Sequence, residues 1–326
     1  MADMILAGID EAGYGPLLGP LVVGCCAFEI DGADPAGELP CLWKRLRKLV
    51  SRNRTKQAKK LHINDSKIVY GYEDGFKEME RAVLALLATC IDQVEGLEQF
   101  LSHTAKHALE DLRQYPWYQE FDGERYPLEQ DFLSIRLFAN ALKREMDQAG
   151  VRCAHLAARV VTERRLNELL SATHNKGSAL FSTSAIHLDH LLTTFGGRGL
   201  VIFCDRQGGR SHYGALLRLM FEEWSLEIVS EQESRAEYRL LRKGDVVRII
   251  FCEKAEAQCL PVAAASMLSK YTREALMNRF NAFWRRHLPD VPPTAGYYAD
   301  GQRFLIDIDR KRAELGISDD QLIRSR

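Results

Sequence analysis

The feature that most constrains this chain lies near its start. The apolar run "ILAGID" ends in two adjacent carboxylates, Asp10 and Glu11, and passes at once into "AGYGPLLGP". A run of that length and composition reads as a buried strand. An unpaired ionised carboxylate taken out of water costs several kcal/mol or is neutralised by a shifted pKa, so a strand ending this way needs a compensating partner. Two other runs repeat the pattern. "GLVIFCDRQGG" ends in Asp205, and "RIIFCEKAEAQ" ends in Glu253, Lys254 and Glu256 just ahead of a small-residue helix, "LPVAAAS". Strand ends converge at one edge of an α/β sheet, so these acids are expected to meet in space. Like charges ~4 Å apart repel by ~4 kcal/mol at an effective dielectric near 20. Such a cluster calls for cations, and hard divalent ions with oxygen ligands, Mg²⁺ or Mn²⁺, serve phosphoryl chemistry in this setting.

The rest of the chain sets that cluster in an α/β protein. Strands are predicted at "MILAGID", "PLVVGCCAFEI", "HLAARVV", "GLVIFCD", "SLEIVS" and "VVRIIFCE". Helices are predicted over Glu73 to Ile91, Leu128 to Gln148, Thr162 to Leu170, Ala179 to Phe195, Tyr213 to Trp224 and Pro261 to Trp284. With 326 residues, 46% of them apolar, the chain can bury a large core. Its formal charge of −1 leaves a nucleic-acid partner open, because a near-neutral total can hide a basic face opposite an acidic site. One stretch fits that face: Lys44, Arg45, Arg47, Lys48, Arg52, Arg54, Lys56, Lys59 and Lys60 lead into "NDSK", Asn64 to Lys67. Asp10 interrupts the N-terminal apolar run too early for a signal or a membrane span, so a cytoplasmic protein away from membranes is expected. The eight cysteines show no C-x-x-C spacing and read as reduced, buried thiols rather than a zinc site or a disulfide frame. There is no G-x-S-x-G nucleophile elbow.

These blocks, in this order, resemble the type 2 ribonucleases H (ribonuclease HII), in the style of the archaeal and eukaryotic branch. "GIDEAGYGPLLGPLVVG" resembles the family's opening D-E-A-G-R-G-P motif, and "NDSK" its D-S-K element. "LNELL", "CDRQGGRSHYGALL", "EKAEAQCLPVAAASMLSKYTRE" and "AGYYAD" are similar to its later blocks. The resemblance implies an RNase H-like fold, a mixed central β-sheet flanked by helices, with a helical C-terminal extension. It divides the chain into a catalytic domain over 1–285, with an insertion at about 95–150, and a substrate-side loop and helical segment over 286–326. It also implies that Asp10, Glu11, Asp205 and Glu256 hold two divalent ions and cleave the RNA strand of RNA–DNA hybrids. The same site would nick 5′ of ribonucleotides embedded in duplex DNA, leaving a 5′-phosphate and a 3′-hydroxyl. Gly13, Tyr14, Gly15, Lys67 and Tyr297 would contact substrate, and Lys254, Lys270 and Glu274 would support the acids. The partner implied is the nucleic-acid duplex, with no obligate protein partner.

Two departures stand out. The family's G-R-G is Gly13-Tyr14-Gly15 here, which keeps the glycines for close backbone approach and loses a cation. The fourth acid, an Asp in the family, is Glu256, whose added methylene shifts the carboxylate by roughly an ångström, enough to change a rate by ~10²-fold. The alternative that these departures leave open is a non-catalytic or altered-specificity binder or nuclease of structured nucleic acid on the same fold. The 128–148 helix, with Phe132, Ile135, Phe138, Leu142 and Met146 at helical spacing, is expected to pack on the core.

Overall fold

Nine strands organise the chain in a computed structural model that describes residues 3–56, 59–91, 94–121 and 125–325. They are β1 (Met4–Ala12), β2 (Leu21–Ile30), β3 (Val50–Ser51), β4 (Leu61–His62), β5 (Val151–Val161), β6 (Leu200–Asp205), β7 (Ser225–Glu231), β8 (Arg235–Arg242) and β9 (Asp245–Cys252). Seven form one mixed sheet in the order β5-β2-β1-β6-β9-β8-β7, while β3 and β4 pair by themselves. β1 runs parallel to β6, and β6 to β9, while the remaining pairs of the sheet are antiparallel. The three acid-ending strands β1, β6 and β9 are therefore neighbours that point the same way, and their carboxylates leave the sheet along one edge. This is the mixed, helix-flanked sheet expected from the sequence, with helices following it at the C-terminus (Tyr298–Glu314 and Asp319–Leu322).

The two faces of the sheet carry separate apolar cores. One is covered by the long helix Leu260–His287, which lies against β1 and β2. It comes so close because two strand positions have no side chain. A Cβ on Gly8 would stand 2.2 Å from the Val262 nitrogen, and one on Gly24 would stand 2.4 Å from the Ala265 oxygen. The run "PVAAAS" is the matching surface on the helix. The opposite face is covered by the helix Lys176–Phe195.

Most predicted elements form within a few residues of their expected bounds. Three strands were not foreseen: the two-residue β3 and β4, too short to show a period, and β8, "RAEYRLLR", which buries Ala236, Tyr238 and Leu240 on alternate positions while its charged residues obscure that period. The predicted helix at Tyr213 to Trp224 is only Gly214–Met220. Helical pieces also occur at Leu97–Thr104, Leu109–Leu112 and Pro116–Tyr118. There the aromatics of "QYPWYQ" are internal. Trp117 is buried with its ring centroid 5.1 Å from that of Phe280, and Glu80 accepts backbone N–H bonds from Leu128, Glu129 and Gln130 at 2.7–2.8 Å. Residues 122–124 of that stretch lie outside the described residues. In the helix Phe132–Gln148, Ile135, Ala139, Leu142 and Met146 are buried, whereas Phe132 is exposed. No helix among the described residues is long and apolar enough to cross a membrane.

Candidate active site

The end of β1 sets the site. Asp10 is buried, and its Oδ1 accepts from the Glu11 N–H at 2.8 Å. Ser269 on the long helix donates to the Asp10 carbonyl at 3.0 Å, and Ser266, one turn earlier, works against the rise in the Asp10 pKa. Asp205, at the end of β6, accepts from the Ala255 N–H at 3.1 Å, so the turn after β9 is fastened to the β6 carboxylate. That turn passes through Lys254 in a left-handed conformation (φ 52°) and carries Glu256, whose carboxyl feels the charge of Asp205. Four carboxyls from three strand ends thus face one another.

Their titration shows the strain. Burial, then the charges of Glu11 and Asp205, hold Asp10 well above the ordinary carboxylate range. Burial and then Asp205 push Glu11 up to about 8, against the pull of Lys67. Asp205 is raised by burial, and Glu256 reaches about 7 through burial, Asp205 and Asp65. One oxygen, Glu11 Oε2, is buried with no hydrogen-bond partner. An all-oxygen donor set with mutual repulsion and an orphaned carboxylate oxygen fits a hard divalent cation. Cys25, His155 and His187 are the group of three or more His, Cys, Asp or Glu among the described residues whose ligand atoms all lie within 4.8 Å.

The remaining expected residues fall at several distances from this centre. "NDSK" reaches it through serines. The Ser66 N–H donates to Ser266 Oγ at 3.3 Å, Ser266 Oγ lies 3.0 Å from Ser66 Oγ, and Asp65 caps the short helix that presents Lys67. Lys67 is exposed and acts on both Glu11 and Asp205. Lys254, expected beside the acids, is exposed in the turn. Lys270 pairs with Glu274 at 2.6 Å, and Tyr70 also donates to Glu274 at 3.2 Å. Arg273 Nη1 lies 3.4 Å from the same carboxylate, so Glu274 is held by three neighbours. Tyr297 is exposed at the start of the helix Tyr298–Glu314, with the Arg273 guanidinium 6.0 Å from its ring centroid.

The glycine turn after β1 divides into a structural and an open position. Gly13 has φ +86°, and a Cβ there would stand 2.6 Å from Arg273 Nε and 2.7 Å from the Pro20 oxygen. Gly15 is exposed, and a Cβ on it would meet nothing within 4 Å. Tyr14 between them lies under Lys176, whose Nζ is 4.9 Å from the ring centroid.

Sequence reasoning missed the residues that hold this turn. Arg324, near the C-terminus, is buried and donates from Nη1 to the Gly13 carbonyl at 2.5 Å and from Nη2 to the Tyr14 carbonyl at 3.2 Å. Its own N–H donates to the Leu17 carbonyl at 3.0 Å. Arg273 donates to the Leu18 and Ala295 carbonyls at 3.2 and 3.0 Å, tying the turn to the loop before Tyr297. Glu163 accepts from the Gly19 N–H at 3.0 Å, and Asn167 of "LNELL" receives the tail through Ile323 and Ser325. In sequence, "LIRSR" shows only a basic end, because the carbonyls it serves are some three hundred residues away.

No protein-family model matches the chain. It is 28% identical over 173 residues to the ribonuclease HII of Chlamydia caviae, an alignment covering 53% of this chain and 70% of that protein. It is 32% identical over 123 residues to the ribonuclease HII of Chlamydia abortus, covering 38% of this chain and about half (49%) of that protein. Among solved structures, the ribonuclease HII of Archaeoglobus fulgidus, studied in its complex with PCNA, superposes with a TM-score of 0.43 at 16% identity, over 99% of this chain and 94% of that one.

Proposed function

We infer that this chain, a divergent member of the type 2 ribonuclease H family, is a divalent-metal-dependent endonuclease that cleaves RNA–DNA hybrids and nicks duplex DNA on the 5′ side of an embedded ribonucleotide. The observation that carries the reading is the gathering of Asp10, Glu11, Asp205 and Glu256 at the parallel ends of β1, β6 and β9, with burial raising all four. These four would hold Mg²⁺ or Mn²⁺, two ions in the family manner, which when bound supply water activation and charge stabilisation at the scissile phosphate. The chain's own groups do the rest. Lys67 approaches the phosphate from the "NDSK" helix, and its charge lowers the cost of keeping Glu11 and Asp205 ionised. The carbonyls of Gly13 and Tyr14 are held by Arg324, and the open space at Gly15 admits the backbone to a ribose 2′-hydroxyl, the group that distinguishes RNA from DNA. Tyr297 offers an exposed ring to a sugar face. Glu274, fastened by Lys270 and Tyr70, keeps the long helix's polar edge in place beside the acids.

The test is a cleavage assay on three duplexes, one with a single embedded ribonucleotide, one a long RNA–DNA hybrid and one all DNA, each with Mg²⁺ and with Mn²⁺. Cutting of the first two and sparing of the third is expected. Asp10→Asn should abolish cutting while the far-UV spectrum and melting transition persist, because it removes a ligand and some repulsion together. Tight binding without cutting in either metal would overturn the enzymatic reading and leave a binding protein.

A further inference from the structure

On the far side of the sheet from the long helix, three residues from three separate elements converge. We propose that Cys25, His155 and His187 form a second metal site, for a borderline-soft divalent ion of the Zn²⁺ kind. Their ligand atoms all lie within 4.8 Å of one another, a spacing that small side-chain rotations can close to the ~2.0–2.3 Å bonds of a zinc centre.

The convergence has an identifiable structural cause. Cys25 lies on β2 opposite Ala157 of β5, and the next same-face residue, Ala27, lies opposite His155, so Cys25 and His155 are diagonal neighbours. The pairing jumps between Ala27↔His155 and Phe28↔Cys153, leaving Ala154 as an extra residue. A bulge of this kind turns two successive residues to one face. Ala154 indeed packs on the same core as Cys25, and His155 follows it. His187 descends from the helix Lys176–Phe195, buried, with Nε2 3.0 Å from the Val23 carbonyl. In a neutral ring that contact is a donation from Nε2–H, which leaves the lone pair on Nδ1 and fixes the ring's orientation, as an outer hydrogen bond does for a metal-bound imidazole.

The chemistry of the group is distinct from that of the acid cluster. It contains a thiol and two imidazoles and no carboxylate, so Mg²⁺ and Mn²⁺ find no oxygen ligand there, whereas Zn²⁺ finds the sulfur and nitrogen it prefers. Burial keeps both rings neutral, His187 down at about 3 and His155 at about 4, which is their ligating form. Burial also raises the Cys25 thiol, so it stays protonated until a cation takes it, and binding releases that proton. Arg159 and His107 oppose positive charge at His187, and the thiolate is the counter-charge. His190 lies one helical turn beyond His187, exposed, its ring centroid 4.3 Å from that of His155. It or a water supplies the fourth position and the route from solvent. A bound ion would pin the helix 176–195 to β2 and β5 directly behind Gly24, the partner of Asp10 in the sheet.

Co²⁺ provides the test, because a cobalt–thiolate bond gives a near-ultraviolet charge-transfer band that carboxylate ligands do not. The full chain, reduced and stripped of metal, is titrated with Co²⁺. The band should appear, saturate, and be displaced by Zn²⁺ but not by excess Mg²⁺. Cys25→Ser should remove it, and His187→Gln should weaken cobalt affinity at least tenfold. If Cys25→Ser fails to fold, His155→Gln, at a half-buried position, should weaken cobalt affinity at least tenfold as His187→Gln does, and undiminished affinity there overturns the proposal. Absence of the band in the unaltered chain overturns the proposal. So does a band that survives Cys25→Ser, as it would if the thiols of Cys26, Cys90 and Cys153 on the other face bound cobalt. Neither result depends on whether the chain cleaves nucleic acid.

Discussion

Glu11 shares with Asp10 the cost of burying the acid site. Its folded pKa of about 8 exceeds the ordinary value of 4.5, so the folded state holds that proton more tightly than the unfolded chain. The associated stability is complete below about pH 4.5 and is lost as pH rises toward 8. In metal-free buffer, Glu11→Gln should therefore melt at a higher temperature than the unaltered chain, with the gap growing across that window. Thermal melts at several pH values check this, and a gap independent of pH would show that Glu11 ionises freely. Gly13 and Gly15 separate in the same way by experiment. A side chain at Gly13 meets Arg273 and a strained φ, so its loss reports on folding. Gly15→Leu should leave the melting transition within a degree or two, yet remove the preference for a ribonucleotide-bearing duplex over an all-DNA one. Preserved preference would mean that the turn does not read the sugar.

At the level of elements, the turn after β1 is held from outside by the chain's end. Arg324 satisfies the Gly13 and Tyr14 carbonyls with a planar fork that a lysine cannot imitate. Arg324→Lys should accordingly impair discrimination between ribonucleotide-bearing and all-DNA duplexes more than it lowers stability. The readout is the ratio of kcat/KM values beside the melting temperature, and an unchanged ratio would reduce the Arg324 fork to a packing role. The sheet–helix interface makes a complementary prediction. Gly8→Ala would drive a methyl into the backbone of the long helix at Val262, and overpacking of that kind costs ~1–3 kcal/mol. Urea unfolding measures it, and Gly244→Ala, where a Cβ meets nothing within 4 Å but φ is +93°, isolates the cost of backbone strain.

Over the whole molecule, the basic run between Lys44 and Lys60 proves to be two populations. Arg54 pairs with Glu78 at 2.7 Å, Arg45 donates to the Ala149 carbonyl, Arg52 stacks on Trp43, and Lys60 donates to the Arg47 carbonyl. These hold β3, β4 and their neighbours together. Lys44, Arg47, Lys48, Lys56 and Lys59 are exposed. Replacing these five by Gln should weaken binding to every duplex alike and flatten the dependence of log affinity on log salt by ~0.9 for each phosphate no longer neutralised. Affinity against salt for ribonucleotide-bearing and all-DNA duplexes settles whether this face touches nucleic acid, since an unchanged slope returns it to an ordinary solvated surface.

The sequence by itself determined the strands that end in acids and the mixed class of the sheet, because apolar runs of strand length and their terminal carboxylates are local patterns that survive in one dimension. It also carried the small-residue face of the long helix, although not the glycines of β1 and β2 that receive it, since a missing side chain signals nothing until its neighbour is known. β8 was hidden because charges on its outer face broke the apolar run that its inner face completes. Only the tertiary structure decided that Lys67 sits close enough to favour the ionised forms of Glu11 and Asp205, that Arg324 closes the glycine turn, and that a bulge aims His155 at Cys25 and His187. Each of those depends on which backbone groups are left unpaired where distant segments meet, and a buried carbonyl's need for a donor is set by three-dimensional packing alone.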